Sequence, residues 1–262
     1  MDYQTLTIAL TDKVATVTLD RPELRNAFNE HAIAELALAF DELGRNDSVR
    51  AIVLAANGPA FCAGADLNWM KKMAAYSDDE NEQDAMRLAD MLRTIYLCPK
   101  PTVARVQGDC YAGGMGLVAA CDIVVAVDSA GFCLSEVKLG LIPATISPYV
   151  IKAMGEQAAR RYFLTAERFD AYEARRIGLA HEVVPTDALD AAVAGITRAL
   201  AGNSPNAVRQ AKALVRDIAG KGVDDALLLD TAGRIAAIRA SIEGREGVAA
   251  FLEKRKPTWL NA

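Results

Sequence analysis

The chain has 262 residues, 52% apolar and 24% charged, with a formal net charge of −5 and a pI of about 5.2. That length suits one large α/β domain or a domain with a helical appendage, and the composition excludes disordered and fibrous classes. The acidic balance argues against nucleic acid as a partner. No stretch approaches the ~20 apolar residues of a membrane span, and the start MDYQTLTIAL lacks a leader's basic-then-apolar layout, so a cytoplasmic protein is expected.

In chain order, Ile8 to Leu10 and Val14 to Leu19 flank the polar pair Asp12-Lys13 and predict an opening hairpin. Arg21-Pro22 breaks the strand, and Asn29 is placed to cap a helix whose Ile33, Leu36, Ala37, Phe40 and Leu43 recur at helical steps. Arg50 to Ala55 is a short apolar run of the kind buried on both faces of a sheet. Asn57-Gly58-Pro59 turns out of it into the small-residue loop Phe61 to Asp66. The polar stretch Asn68 to Gln83, with Asp78, Asp79, Glu80 and Glu82 together, reads as a mobile, lid-like segment opening the helix Asp84 to Leu97.

Thr102 to Gln107 is the next strand, and Tyr111 to Gly116 leads into the small-residue helix Leu117 to Ala120 and the strand Ile123 to Val127. Beyond Gln157 strand signals almost vanish, and helices are expected at Gln157 to Leu164, Ala171 to Ile177, Asp187 to Leu200, Pro205 to Ile218 and Val223 to Ile242. The organisation is a β-α core over 1–200 and a helical region over 201–262. The apolar face of Val223 to Ile242 is expected to cover either the protein's own core or a neighbouring subunit.

The five cysteines, Cys62, Cys98, Cys110, Cys121 and Cys133, stand singly among apolar neighbours and read as reduced core thiols. His31 and His181 lie in no metal-binding or serine-triad context, so no metal site is expected. Lys254, Arg255 and Lys256 read as a solvated helix end or an anion-binding patch. Gly113-Gly114 before a helix aims free N–H groups and a partial positive charge outward, or else marks tight helix packing on the sheet. Glu136, in the apolar stretch FCLSEVKLGLIP, is either a desolvated carboxyl fitted for proton transfer or the partner of Lys138 in a salt bridge.

RPELRNAF at 21 to 28, FCAGADLNWM at 61 to 70, QGDCYAGGMGLVAACDIVVA at 107 to 126 and LSEVKLGLIP at 134 to 143 resemble, in order and spacing, the crotonase (enoyl-CoA hydratase/isomerase) family. RRIGLAHEVVP at 175 to 185 and EGREGVAAFLEKRKP at 243 to 257 extend the resemblance over essentially the whole chain. It implies an α/β fold, a ββα superhelix with a helical C-terminal trimerisation region, assembled as a homotrimer or a dimer of trimers. It also implies an acyl-CoA thioester substrate whose oxygen is bound by two backbone N–H groups, here those of Ala65 and Gly113. Arg25 and Lys254 would meet the phosphates of CoA, Lys254 from a neighbouring subunit, and Ala63 would line the adenine pocket. CoA is part of the substrate, and no other cofactor is implied.

Hydratases of the family use two glutamates. The second corresponds to Glu136, whereas the first would fall at Gly116, so the resemblance leaves Glu136 as the single motif carboxylate, acid and base in turn. The residues after Pro143, Ala144 to Ile151, also depart from the family's Gly-rich run, and Ser147 or Tyr149 would supply a hydroxyl there. LSEVKLGLIPATISPYVIKAMGEQAARRYFLTAERFDA is similar to bacterial hydratases of methylglutaconyl-CoA and its isoprenoid homologue isohexenylglutaconyl-CoA, in leucine and acyclic terpene breakdown. Such a substrate carries a second carboxylate, for which Lys71, Lys72 and Arg87 are the candidate cations. The leading expectation is an enoyl-CoA hydratase. A double-bond isomerase or other acyl-CoA reaction is the alternative, and a binding-only protein of the same fold is the third.

Overall fold

The structure is a computed structural model describing residues 3–260. Asp12 and Lys13 both take positive φ, 49° and 66°, the backbone of a two-residue turn whose twist matches the strands it joins. β1 (Leu6–Thr11) and β2 (Val14–Leu19) therefore pair antiparallel, Thr11 opposite Val14. β3 (Ala51–Ala56) is buried along its whole length because it lies mid-sheet with both faces covered. With β5 (Thr102–Val106), β7 (Ile123–Val127) and β10 (Glu182–Val184) these strands form a six-stranded sheet in the order β1-β2-β3-β5-β7-β10, parallel from β2 onward.

Each central strand continues into a short strand of a second sheet: β4 (Ala60–Cys62), β6 (Asp109–Tyr111) and β8 (Gly131–Cys133), with β9 (Phe169–Asp170) at the edge. Helices then carry the chain back, α2 (Leu67–Met73) and α3 (Asp78–Leu97) after β4, α4 (Gly113–Ala120) after β6, and α5 (Ser147–Thr165) after β8. The repeated ββα step winds the chain into a superhelix. α1 (Glu30–Arg45) covers the sheet with Ile33, Leu36 and Phe40, and the side chain of Asn29 caps it by accepting from Ala32 N. The remaining helices are α6 (Ala171–Arg176), α7 (Leu189–Gly202), α8 (Pro205–Ile218), α9 (Asp225–Ala240) and α10 (Ile242–Leu252). No described helix is long and apolar enough to cross a membrane. Within α8, α9 and α10 only Ala250 is buried.

Several expectations need correction. The segment from Asn68 to Gln83 is two helices: Ser77 and Glu80 form a reciprocal capping box that starts α3 at Asp78, ahead of Asp84. The acidic run thus lies in the first turn of α3, where it complements the positive end of the helix. α5 begins at Ser147, well before Gln157, and bends at Gly155 (φ 78°). β9 and β10 are too short to leave an alternating pattern. Ser241 ends α9 and caps α10, and Lys254, Arg255 and Lys256 fall beyond the end of α10. All five cysteines are free and buried, and burial pushes the Cys62 thiol up to about 12.

Candidate active site

Ala65, Gly113 and Glu136 each follow, within three residues, the end of β4, β6 or β8. These are neighbouring parallel strands, with Cys62 beside Cys110 and Tyr111 beside Cys133. Adjacent strands lie ~4.8 Å apart, so three residues remote in sequence are brought to the same end of the second sheet, just past the C-termini of three neighbouring strands.

Phe28 forms a parallel bridge with Ala65: its N–H donates to Gly64 O (2.9 Å) and its carbonyl accepts from Asp66 N (3.0 Å). In a strand-like segment successive amides alternate sides, so the bonds made by 64 and 66 turn the Ala65 N–H the opposite way. It meets no acceptor among the described residues. The Gly113 amide opens α4 and likewise meets no acceptor among them, as the first turn of a helix dictates. A Cβ on Gly64 would stand 3.0 Å from Ala112 Cβ and 3.8 Å from Gly113 N, so the two loops are in contact. A Cβ on Gly113 would stand 2.3 Å from Phe28 Cζ, which is why glycine occupies 113.

Ala112 holds the second amide in place at a cost. Its φ of 48° with ψ of −122° is sparsely populated for a residue with a side chain, worth about 1–3 kcal/mol of strain, and its N–H donates to Cys133 O at 2.8 Å. The first amide is held by charge. The buried Asp66 carboxylate accepts from Arg21 Nη2 (2.8 Å), Asn68 N (2.7 Å) and Trp69 N (3.3 Å), capping α2 directly after Ala65. Arg21 Nη1 donates to Ala27 O, and Asn26 links Arg21 N to the carbonyls of Asn57 and Ala60. Burial pushes the Asp66 carboxyl up, but the Arg21 hydrogen bond, the two amide bonds and the Arg21 charge outweigh it and hold it below the usual carboxylate range. Arg21 and Asp66 were missed in the sequence as site-supporting residues. Their signal was the single carboxylate of FCAGADLNWM and an arginine that opens RPELRNAF.

Glu136 starts a short 3-10 turn, Glu136–Leu139, closed by Gly140 in the left-handed region. Burial raises its pKa above the ordinary carboxylate value, and its own backbone amide offsets only part of this. Oε2 is buried without a hydrogen-bond partner, and no ion pair to Lys138 forms among the described residues. A half-buried carboxyl with no countercharge is suited to holding and releasing a proton. Together these strand ends present two free N–H donors and one such carboxyl, the parts needed to bind a carbonyl oxygen as it gains negative charge while a proton moves nearby.

Gly116 lies one turn into α4, facing Ile146 and Leu92. Ala63 N donates to Arg25 O, which ties those two positions to the same cluster, while Arg25 is exposed in the left-handed region. Lys254 is exposed in the C-terminal helical layer, where α10 packs on α8 and α9, and no described bond joins it to the cluster. Lys72 pairs with Glu30 and Arg87 with Asp84, leaving Lys71 exposed and in no ion pair among the described residues. Ser147 Oγ donates to Ala144 O, and Tyr149 packs edge-on against Tyr96. His181 Nδ1 accepts from Val124 N, a structural bond, and His31 is exposed.

A family model described as enoyl-CoA hydratase/isomerase matches residues 10–262. The chain is similar to the crystal structure of an enoyl-CoA hydratase from Shewanella pealeana, with a TM-score of 0.96 and 45% identity over 98% of this chain and 97% of that one. It is also similar to the crystal structure of an enoyl-CoA hydratase from Mycobacterium smegmatis, with a TM-score of 0.91 and 36% identity over 98% and 99%. The mevalonyl-coenzyme A hydratase sidH of Aspergillus fumigatus is 34% identical over 253 residues, 95% of this chain and 92% of sidH.

Proposed function

The chain belongs to the enoyl-CoA hydratase/isomerase family, and from that premise we propose that it adds water across the 2,3 double bond of a short or branched enoyl-CoA. The observation that carries this reading is that the free amides of Ala65 and Gly113 and the desolvated Glu136 follow the ends of three neighbouring strands. Attack of water at the β-carbon pushes charge onto the thioester oxygen. Two preorganised amides there stabilise it by about 3–4 kcal/mol each. Glu136, as the carboxylate, takes a proton from water as its oxygen bonds to the β-carbon, then delivers that proton to the α-carbon and returns to its starting state. The step draws on no metal and on no cofactor beyond the CoA of the substrate.

Arg25 and Ala63 are proposed to meet the CoA nucleotide, with Lys254 reaching it from a neighbouring copy. The assembly would be a homotrimer or a dimer of trimers, a reading supported by the exposure of Ile242 (89%), Phe251 (83%) and Leu229 (75%) on the C-terminal helices. Residues 1–200 would then serve as the catalytic core and 201–262 as the assembling region. The five free thiols support a reducing, cytoplasmic setting. For the acyl group we propose 3-methylglutaconyl-CoA, with Lys71 as the cation for its distal carboxylate. The relative named for a mevalonyl thioester lends support to a branched acyl chain.

Isomerisation is the second reading, favoured by the single carboxyl, since one proton carrier suffices to shuttle hydrogen between carbons. The test is to mix the protein with crotonyl-CoA, with 3-methylglutaconyl-CoA and with a 3-enoyl-CoA, following conjugated-thioester absorbance and product mass. Loss of conjugation with gain of one water is expected, and the faster substrate identifies the acyl class. Conjugation appearing only from the 3-enoyl-CoA, with no water gained, would replace hydratase by isomerase. Glu136→Gln is expected to lose about 10²–10⁴-fold in kcat with thioester affinity nearly unchanged.

A further inference from the structure

The first turn of α4 supplies the Gly113 amide, and Gly116, three residues further on, is buried. A Cβ placed on Gly116 would lie 2.3 Å from Ile146 Cγ2, 2.8 Å from Ile146 Cβ and 3.5 Å from Leu92 Cδ2. Ile146 cannot swing aside. It is 2% exposed, its β-branched side chain is stiff at χ1, and its carbonyl accepts from both Tyr149 N and Val150 N at the start of α5. The room one helical turn from the oxygen-binding amide is therefore filled with methyl groups. No side chain from position 116 can enter it, and Glu136 has no charged partner that shifts its proton affinity.

We propose that Ile146 is a specificity-determining residue: by occupying the space beside Gly116 it bars a second acid–base group from α4, and so limits the site to reactions in which one carboxyl both takes and returns the proton. The absence of a side chain at 116 and the presence of isoleucine at 146 are then one feature, not two independent departures. The inference rests on the reading of Glu136 as the proton carrier. Its consequence is a rate governed by one titration: kcat/KM for hydration rises with pH through the Glu136 pKa and then stays level, with no falling limb from a separate acid.

The test is a cycle of Gly116→Ala, Ile146→Ala and the double variant, read by thermal melting, together with the pH–rate profile of Gly116→Glu/Ile146→Ala. Gly116→Ala alone is expected to lower Tm by roughly 5 °C through overpacking. In the Ile146→Ala background the same change should raise Tm, because the added methyl fills the hole. Gly116→Glu/Ile146→Ala should hydrate enoyl-CoA with a second, falling limb in its pH profile. Additive melting shifts, or a Gly116→Ala protein as stable as the parent, would overturn the packing argument. A hydrating double variant that keeps a single limb would overturn the mechanistic one. A parent protein that hydrates none of the enoyl-CoA substrates sinks the hydratase reading instead, while the melting cycle still decides the role of Ile146.

Discussion

Asp66→Ala should damage both stability and turnover, in amounts that follow from what the carboxylate touches. The substitution removes the cap from two α2 amides, a loss of about 1 kcal/mol. It also leaves the Arg21 guanidinium, whose side chain is only 17% exposed, without its counter-ion. Breaking a buried pair in this way costs about 3–5 kcal/mol, and because Arg21 keeps the Ala27 carbonyl and some water, about 3 is the better figure. Together these amount to about 4 kcal/mol, or a fall in Tm of about 8–16 °C for a chain of this size. Asp66→Asn should lose less, since asparagine caps a helix about as well as aspartate and forfeits only the ion pair. The deficit should depend on pH. The Asp66 carboxyl is held below its ordinary value, so its stabilisation is complete above the unfolded pKa of ~3.9 and disappears as pH falls through the folded value, closing the gap between parent and Asn variant in acid. Because Asp66 fixes the amide next to it, kcat should fall by up to ~10²-fold in the Ala variant while KM moves little. Circular-dichroism melts and steady-state hydration on the same preparations measure both. An Asp66→Ala protein melting within a degree or two of the parent, at full kcat, would refute the assignment of the ion pair as the support of the Ala65 amide.

Glu136→Gln should melt above the parent at neutral pH. Burial raises the Glu136 pKa in the folded protein, so its charge destabilises the fold as pH rises above the unfolded pKa, and the advantage of the neutral variant should vanish in acid; equal melts at pH 7 would contradict the desolvation. Ala112→Gly removes the strain at φ 48° and, after the entropic cost of glycine, should stabilise by about 1 kcal/mol with turnover retained, readable as a small rise in Tm. Phe251→Asp combined with Ile242→Asp should convert a three- or six-copy assembly to single chains in sedimentation, and an unchanged assembly would exclude those residues from its interface.

The opening hairpin, the α1 cap and β3 were legible because each is a local matter of turn residues, a capping side chain and a short run of apolar residues. The second sheet was not. β4, β6 and β8 are three residues each, and what defines them is pairing with one another across long stretches of chain. The start of α3 escaped because its acidic first turn looks like solvated loop until the reciprocal bonds of Ser77 and Glu80 are visible. The desolvation of Glu136 was readable from its apolar neighbours, but that it forms no ion pair with Lys138 needed the folded position of Lys138. Nothing in the linear pattern tied Gly116 to Ile146, because the close approach of α4 to the start of α5 that leaves no room for a Cβ at 116 exists only in the folded chain.

Two of the three groups at the site are main-chain amides, and this shifts where sensitivity to mutation should be sought. Ala65 and Gly113 present no side-chain chemistry of their own, and Phe28 leaves no room for a Cβ at 113. What must be kept is direction. One amide takes its direction from the Phe28 bridge and the Arg21–Asp66 pair, the other from the strained Ala112 turn anchored on Cys133 O. The supports differ in kind: the pair weakens in acid, whereas the turn is indifferent to pH. Loss of turnover on acidification then has two separable sources, protonation of Glu136 above its ordinary carboxylate value and release of the Ala65 amide as Asp66 protonates below its own. Only the first should disappear reversibly with no accompanying loss of fold.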